Sequence, residues 1–235
     1  MKTVFRWRDT NNWKHLKRLL HLRSYKPILD FLLEFSHVAL FHGCRPQDYL
    51  SYYKHGLRLA DGFALDLRAR EIFLSDEFPE ITSELFDSIL KQTSRIHDKR
   101  TFVVLDDEDF MYTGAHYCIY GSEHICGIAA SLSSPHGYPD YRQVLKRYGT
   151  PTLFQLHAPI RGLPEQQVKN LADHIHSTFE GEDLEEYERI PYFDWSFIFD
   201  TNIPASWIFS HTHPETIRDP LKNYSAYRYR IDKSI

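Results

Sequence analysis

The chain has 235 residues, of which 42% are hydrophobic, 26% charged and 15% aromatic, and its net charge is −4. A chain of this length and balance hides roughly 70% of its unfolded surface, which excludes a disordered polypeptide and a small stapled scaffold. Three cysteines, Cys44, Cys118 and Cys126, are odd in number and lack CxxC spacing, so a disulfide framework and a cysteine zinc site are both disfavoured and a reducing cytoplasm is the expected setting.

The first 26 residues carry eight Lys or Arg against one acid, Asp9, so this segment is +7 and the remainder −11. Leu16, Leu19, Leu20 and Arg23 recur at helical spacing. Residues 1–26 therefore read as a basic amphipathic arm for nucleic acid, an acidic partner or a membrane surface, or as a transit peptide, or as a helix packed on its own body. The acidic stretch from Glu180 to Glu188 is a candidate internal mate. Residues 27–235 read as one catalytic-size domain. Its longest apolar run, Ile28 to Leu40, is broken by Asp30, Glu34 and His37, well short of the ~18 residues of a membrane span; no membrane partner is expected.

In chain order, Ile28 to Phe35 is expected as a helix and Val38 to Phe41 as a buried strand ending at His42-Gly43. A helix then opens near Pro46, with Tyr49, Leu50 and Tyr53 on one face, and stops at Gly56. Leu65 to Arg70 reads as loop or strand, Glu71 to Ser75 as a strand, and Pro79 to Thr93 as a helix capped by Ser75 or Asp76. Thr101 to Leu105 and His116 to Tyr120 are predicted strands, whereas Glu123 to Ala130 is strand or helix. Leu153 to Leu156 is a strand, Glu165 to Phe179 the clearest helix, and Phe193 to Phe199 and Ala205 to Phe209 are late strands. Strands outnumber helices and hairpin signals are few, so an α+β domain with a split, mixed sheet is expected.

Several constellations are candidates for chemistry. His211-Thr-His213 puts two imidazoles on one strand face, but a zinc site needs three or four convergent ligands, so no metal is expected and a metal-dependent hydrolase is a lesser alternative. Cys44 follows His42 by two residues, and Cys118 follows His116 likewise, yet no glycine elbow offers an oxyanion hole for a thiolate nucleophile. Three ordered segments stand out more: Phe41-His42-Gly43-Cys44 before a helix closing at His55-Gly56-Leu57, then Glu71-Ile72-Phe73-Leu74-Ser75, then Tyr120-Gly121-Ser122-Glu123-His124-Ile125. Glu123 is a lone carboxylate in apolar company, where an unpaired charge is costly to bury.

In these segments the chain resembles the ADP-ribosyltransferase superfamily, in its His-Tyr-Glu, diphtheria-toxin and poly(ADP-ribose) polymerase-like branch. The resemblance spans roughly residues 38–156. It departs from the pattern at the second segment, with Phe73 in the tyrosine slot and Glu71 where glycine is usual. It implies an ADP-ribosyltransferase-like split sheet and NAD as substrate. It further implies that His42 bonds the adenosine ribose, the Gly43 backbone meets the nicotinamide amide, Phe73 packs on the nicotinamide ring and Glu123 stabilises the ribosyl cation. Ser75, closing the second motif, and Tyr53, a possible second ring wall beside Tyr52 or Tyr117, complete the implied NAD contacts. Arg45, past the His-Gly turn, is a candidate pyrophosphate contact, with Arg58 behind it.

A standalone transferase of this kind also resembles an intracellular toxin held by an antitoxin or used in phage defence. The basic arm tilts the acceptor towards RNA or DNA over protein. A non-catalytic module binding an NAD-like ligand and an NAD-dependent RNA 2′-phosphotransferase-like enzyme are the alternatives.

Overall fold

The computed structural model describes residues 2–93, 99–133, 139–184, 187 and 189–229. Its centre is β2 (Phe35–Cys44), whose Val38, Ala39 and Leu40 are all buried, as expected of a strand covered on both faces. One edge of β2 is taken along most of its length by antiparallel β4 (Thr152–Pro159). The other edge is shared: β1 (Lys2–Phe5) pairs in parallel with the first half, and β3 (Thr101–Val104) meets Phe41 near the end. Antiparallel β5 (Ser196–Phe199) extends the sheet beyond β3, and β6 (Ile208–Thr212) extends it beyond β4. A separate hairpin joins β7 (Thr216–Asp219) to β8 (Ser225–Arg228). The protein is thus mixed α/β, with a mostly antiparallel sheet.

The helices divide between two cores. α1 (Thr10–Leu20), α2 (Lys26–Leu33) and α10 (Glu165–Phe179) pack on the sheet around Phe31, Leu171 and Ile175. α3 (Leu50–His55) ends at Gly56, whose φ of 72° and tight fit against the Ile203 carbonyl admit only glycine. The second core is helical. It contains α4 (Gly62–Phe73), α5 (Ser83–Gln92), α6 (Asp107–Thr113), α7 (His116–Tyr120), α8 (Glu123–Ser133) and α9 (Arg142–Leu145).

The basic segment 1–26 does not stand apart as an arm. β1 is a strand of the main sheet, and Phe5, Trp7, Trp13, Leu16 and Leu20 are buried in the first core. Burial of that apolar stripe outweighs the solvation of its cations, which lie outside: Lys14 and Arg18 are exposed. Arg8 turns inward to the buried Asp106 carboxylate, Nε at 2.7 Å and Nη2 at 2.5 Å. Of the proposed acidic mate, residues 185, 186 and 188 lie outside the described residues.

Two predicted strands, Glu71 to Ser75 and His116 to Tyr120, are largely helical instead, and so is Leu65 to Arg70, expected as loop or strand. Leu65 to Arg70 and Glu71 to Phe73 belong to α4, which is opened by the Asp61 carboxylate accepting from the Phe63 and Ala64 amides. His116 to Tyr120 is α7, and Glu123 begins α8. The cap of α5 is Thr82, not Ser75 or Asp76.

Candidate functional site

Both cores contribute walls to a cavity of about 1100 Å³, lined by Leu57 and Tyr52 from the sheet side and by Ile72, Phe110 and Ile125 from the helical side. The end of β2 enters it. His42 lines the cavity with its Nδ1 2.9 Å from the Phe102 carbonyl. A carbonyl only accepts, so Nδ1 carries the hydrogen and Nε2 is left as an acceptor. Burial lowers the His42 pKa, with the carbonyl bond acting weakly against it. The ring is neutral at physiological pH.

Gly43 also lines the cavity, and its lack of a side chain has a packing cause. A Cβ there would lie 2.2 Å from the Phe110 ring and 2.9 Å from Cys118 Sγ. The hydrogen atom of Gly43 lets α6 and α7 close over the strand end; the space beside it belongs to Phe110. Arg45 lines the cavity too, but it spends its donors on backbone. Nε donates to the Tyr148 carbonyl at 2.7 Å, Nη2 to Lys146 at 2.5 Å and Nη1 to Cys118 at 3.3 Å. It is a strut against the Tyr227 and Tyr229 rings, and two of its five N–H donors are left for the pyrophosphate contact expected of it.

Glu123 enters from the first turn of α8, just after Gly121 (φ 84°) reverses the chain. Its carboxylate lies 3.0 Å from His116 Nε2 and accepts from the Tyr117 hydroxyl. Burial, with the Glu123 charge behind it, pushes the Tyr117 pKa up to about 12, so the phenol stays a donor. Tyr117 itself lines the cavity and stacks on Phe110.

Phe73 is not in this cavity. It is fully buried in the helical core against Phe78 and Tyr141, because in a helix its side chain points about 100° around the axis from that of Ile72, which does line the wall. Ser75 is likewise outside, its hydroxyl donating to the Ile72 carbonyl at 3.2 Å. Tyr53 is on another face, with its hydroxyl 2.6 Å from His211 Nδ1. The aromatic ring beside Glu123 is Tyr117, one of the three tyrosines singled out by sequence.

Apart from Arg58, the remaining residues around the cavity were not singled out by sequence. Asp109 and Asp194 both line the cavity; burial and then the Asp194 charge raise the Asp109 pKa. Arg58 and Arg100 line it as exposed cations with no ion pair among the described residues. His124 lines the cavity and is paired with the buried Asp66, 2.8 Å away. With Leu65 to Arg70 read as loop or strand, nothing brings Asp66 towards His124.

The cysteine nucleophile has no support. Burial, and then Cys118, raises the Cys44 pKa well above its usual range, and burial pushes Cys118 up to about 12 against the lowering effect of its backbone hydrogen bonds and Arg45. Among the described residues no three His, Cys, Asp or Glu side chains converge as a metal site; His213 Nδ1 is held at 3.0 Å by the Pro151 carbonyl. No helix among the described residues is long and apolar enough to cross a membrane.

No family model, no curated protein and no solved structure matches the chain.

Proposed function

We propose that the cavity binds NAD and transfers its ADP-ribose to a macromolecular acceptor, within the cytoplasm and with nucleic acid favoured over protein. The observation that carries this reading is the presence of His42 and Glu123 in one cavity, from a strand end and a helix start far apart in sequence. The cavity of about 1100 Å³ has room for a dinucleotide, since ordinary small-molecule pockets occupy roughly 300–1,000 Å³.

Each residue type suits a part of that chemistry. His42 Nε2 is an acceptor for a ribose hydroxyl. Arg58 and Arg100 at the surface of the cavity suit a pyrophosphate. Breaking the nicotinamide–ribose bond builds positive charge on the sugar, as in glycoside hydrolysis, and a fixed carboxylate beside it lowers the barrier. Glu123 is that carboxylate, held by His116 and Tyr117, and the Tyr117 ring takes the stacking part that the resemblance assigned to Phe73. The exposed Lys14 and Arg18 of α1 support a polyanionic acceptor.

The experiment is incubation with labelled NAD and a cell extract. Nicotinamide release and label on a macromolecule are expected from the native chain. Glu123→Gln should reduce both by about 100-fold or more with an unchanged unfolding midpoint. Undiminished labelling by that variant excludes the assignment, and separate nuclease and protease digestion of the product identifies the acceptor.

A further inference from the structure

Three tyrosines outside the cavity stack in the open. Tyr112 of α6 stacks on Tyr192, with ring centroids 5.8 Å and planes 6° apart, and on Tyr224, at 5.0 Å and 15°. The Arg8 guanidinium stands over the Tyr192 ring, 5.0 Å from its centroid. Tyr192, Tyr112 and Tyr224 are 57%, 45% and 39% exposed, and contiguous exposed rings with a polar rim mark an interaction surface. Flat rings in contact lie about 3.5–4 Å apart. The longer centroid separations mean that the rings are slipped past one another, which leaves part of each face uncovered.

The backbone at the Tyr224 end is held in an unfavourable conformation. Asn223 and Tyr224 are consecutive residues in the left-handed region, with φ of 51° and 57°, and that region is costly for a bulky side chain. The turn between β7 and β8 thus delivers a ring where glycine would turn more easily. The hairpin carries charge as well. Its register pairs Arg218 with Ala226 and Arg228 with Thr216, and the alternate residue Ile217 is buried, so both arginines lie on the outward face. Both are exposed, and neither is in an ion pair among the described residues. The tyrosines adjoin the cavity: Tyr112 is next to Thr113 and one turn beyond Asp109, and Tyr192 precedes Asp194 by two residues, all three of which line it.

We propose that this tyrosine ladder and the hairpin arginines are the docking surface for a single-stranded nucleic-acid acceptor at the rim of the cavity. The proposal deepens the ADP-ribose transfer reading and rests on it for what the bound strand is there to receive. Unpaired bases stack on aromatic faces whatever their sequence, and arginines beside them neutralise phosphates. A duplex offers no open base faces, so the surface selects a single strand. Glu108, Asp109 and Asp194 put negative charge on the α6 side of the ladder and repel phosphates, so the backbone of the strand follows the hairpin and its bases turn towards α6. An arginine-rich protein segment would also suit aromatic faces and acids, but the outward arginines of the hairpin repel it.

The test measures binding of the full chain, without NAD, to a labelled mixed-sequence RNA strand of about 12 nucleotides, to the DNA strand of the same sequence and to the duplex. The native chain should bind a single strand more tightly than the duplex, and the tighter of RNA and DNA names the source. Tyr112→Ala should weaken single-strand binding by about 10-fold with an unchanged unfolding midpoint, whereas Tyr112→Phe should bind as the native chain does, because the ring is what stacks. Arg218→Ala and Arg228→Ala should each flatten the slope of log K against log salt by about 0.7. Tyr224→Ala carries the test if Tyr112→Ala does not fold.

No binding of a single strand, equal binding of the duplex, or native affinity in Tyr112→Ala and Tyr224→Ala overturns the docking surface. So does a labelled arginine-rich peptide that binds the native chain more tightly than the strand and is lost in Tyr112→Ala, which marks a protein partner instead. Nicotinamide release from labelled NAD is read separately. A chain that fails the binding test but releases nicotinamide leaves the NAD reading intact, and a chain that binds the strand through its tyrosines but releases none overturns the NAD reading alone.

Discussion

The sheet and the helical core that faces it across the cavity speak differently through their sequences. In β4 the buried residues Thr152, Phe154, Leu156 and Ala158 alternate with half-buried ones, so each side chain declares its face. In α4 the buried positions are Gly62, Asp66, Ala69, Ile72 and Phe73, while Phe63 and Leu67 are exposed. A charged residue inside and apolar residues outside blur the stripe that would mark a helix. The contrast teaches that α4 also buries a polar group, Asp66 paired with His124, which no periodicity can announce.

The sharpest comparison between the two regions is a matched pair of truncations. Phe154→Ala in the sheet core and Phe73→Ala in the helical core should each cost about 3–5 kcal/mol, read as a shift in the denaturant midpoint, since both rings are fully buried. A Phe73→Ala protein of native stability that loses NAD binding would put Phe73 back in the site and break the comparison. Next comes Gly56→Ala, where a Cβ would meet the Ile203 carbonyl at 2.0 Å with φ at 72°. A loss of about 3 kcal/mol is expected, because neither backbone segment can give way.

Gly43→Ala should cost about 1–3 kcal/mol through overpacking, less than Gly56→Ala because the obstacle is the far end of the Phe110 side chain. A Gly43→Ala, Phe110→Leu double variant should recover part of that loss if the two positions share one space. The smallest effect is a pH dependence. His42 has a folded pKa below its ordinary 6.5, so the folded state resists protonation. Its contribution to stability is full above pH 6.5 and declines as pH falls below that value, where the unfolded chain takes up the proton first. Thermal midpoints measured downward from pH 7 should fall less steeply in His42→Gln than in the native chain.

Much of the sheet was legible. The strands expected at Val38 to Phe41, Thr101 to Leu105 and Leu153 to Leu156 lie within or overlap β2, β3 and β4, and α10 spans Glu165–Phe179 as its apolar spacing predicts. The Gly56 stop was legible too, because a glycine after a helical run is a local signal. α7 was not: it is five residues long, and its buried Cys118, Ile119 and Tyr120 are consecutive. So short an apolar run has no period to distinguish helix from strand. Part of the candidate site was found for the same local reasons, His42 by its place at a strand end and Glu123 as an isolated acid. The role given to Phe73 failed with the strand that was to present it.

The sequence by itself determined the local matters: where the chain alternates, where it must turn, and which residues break the chemistry of their neighbourhood. Tertiary structure alone decided which of those residues share a cavity. It folded the cationic N-terminus into the sheet because Trp7 and Trp13 find an aromatic cluster with Phe179 and Phe193. It committed Arg45 to three carbonyls, and it set Asp66 against His124. These are long-range pairings, and their free energy comes from partners distant in sequence, so no window of local pattern contains them.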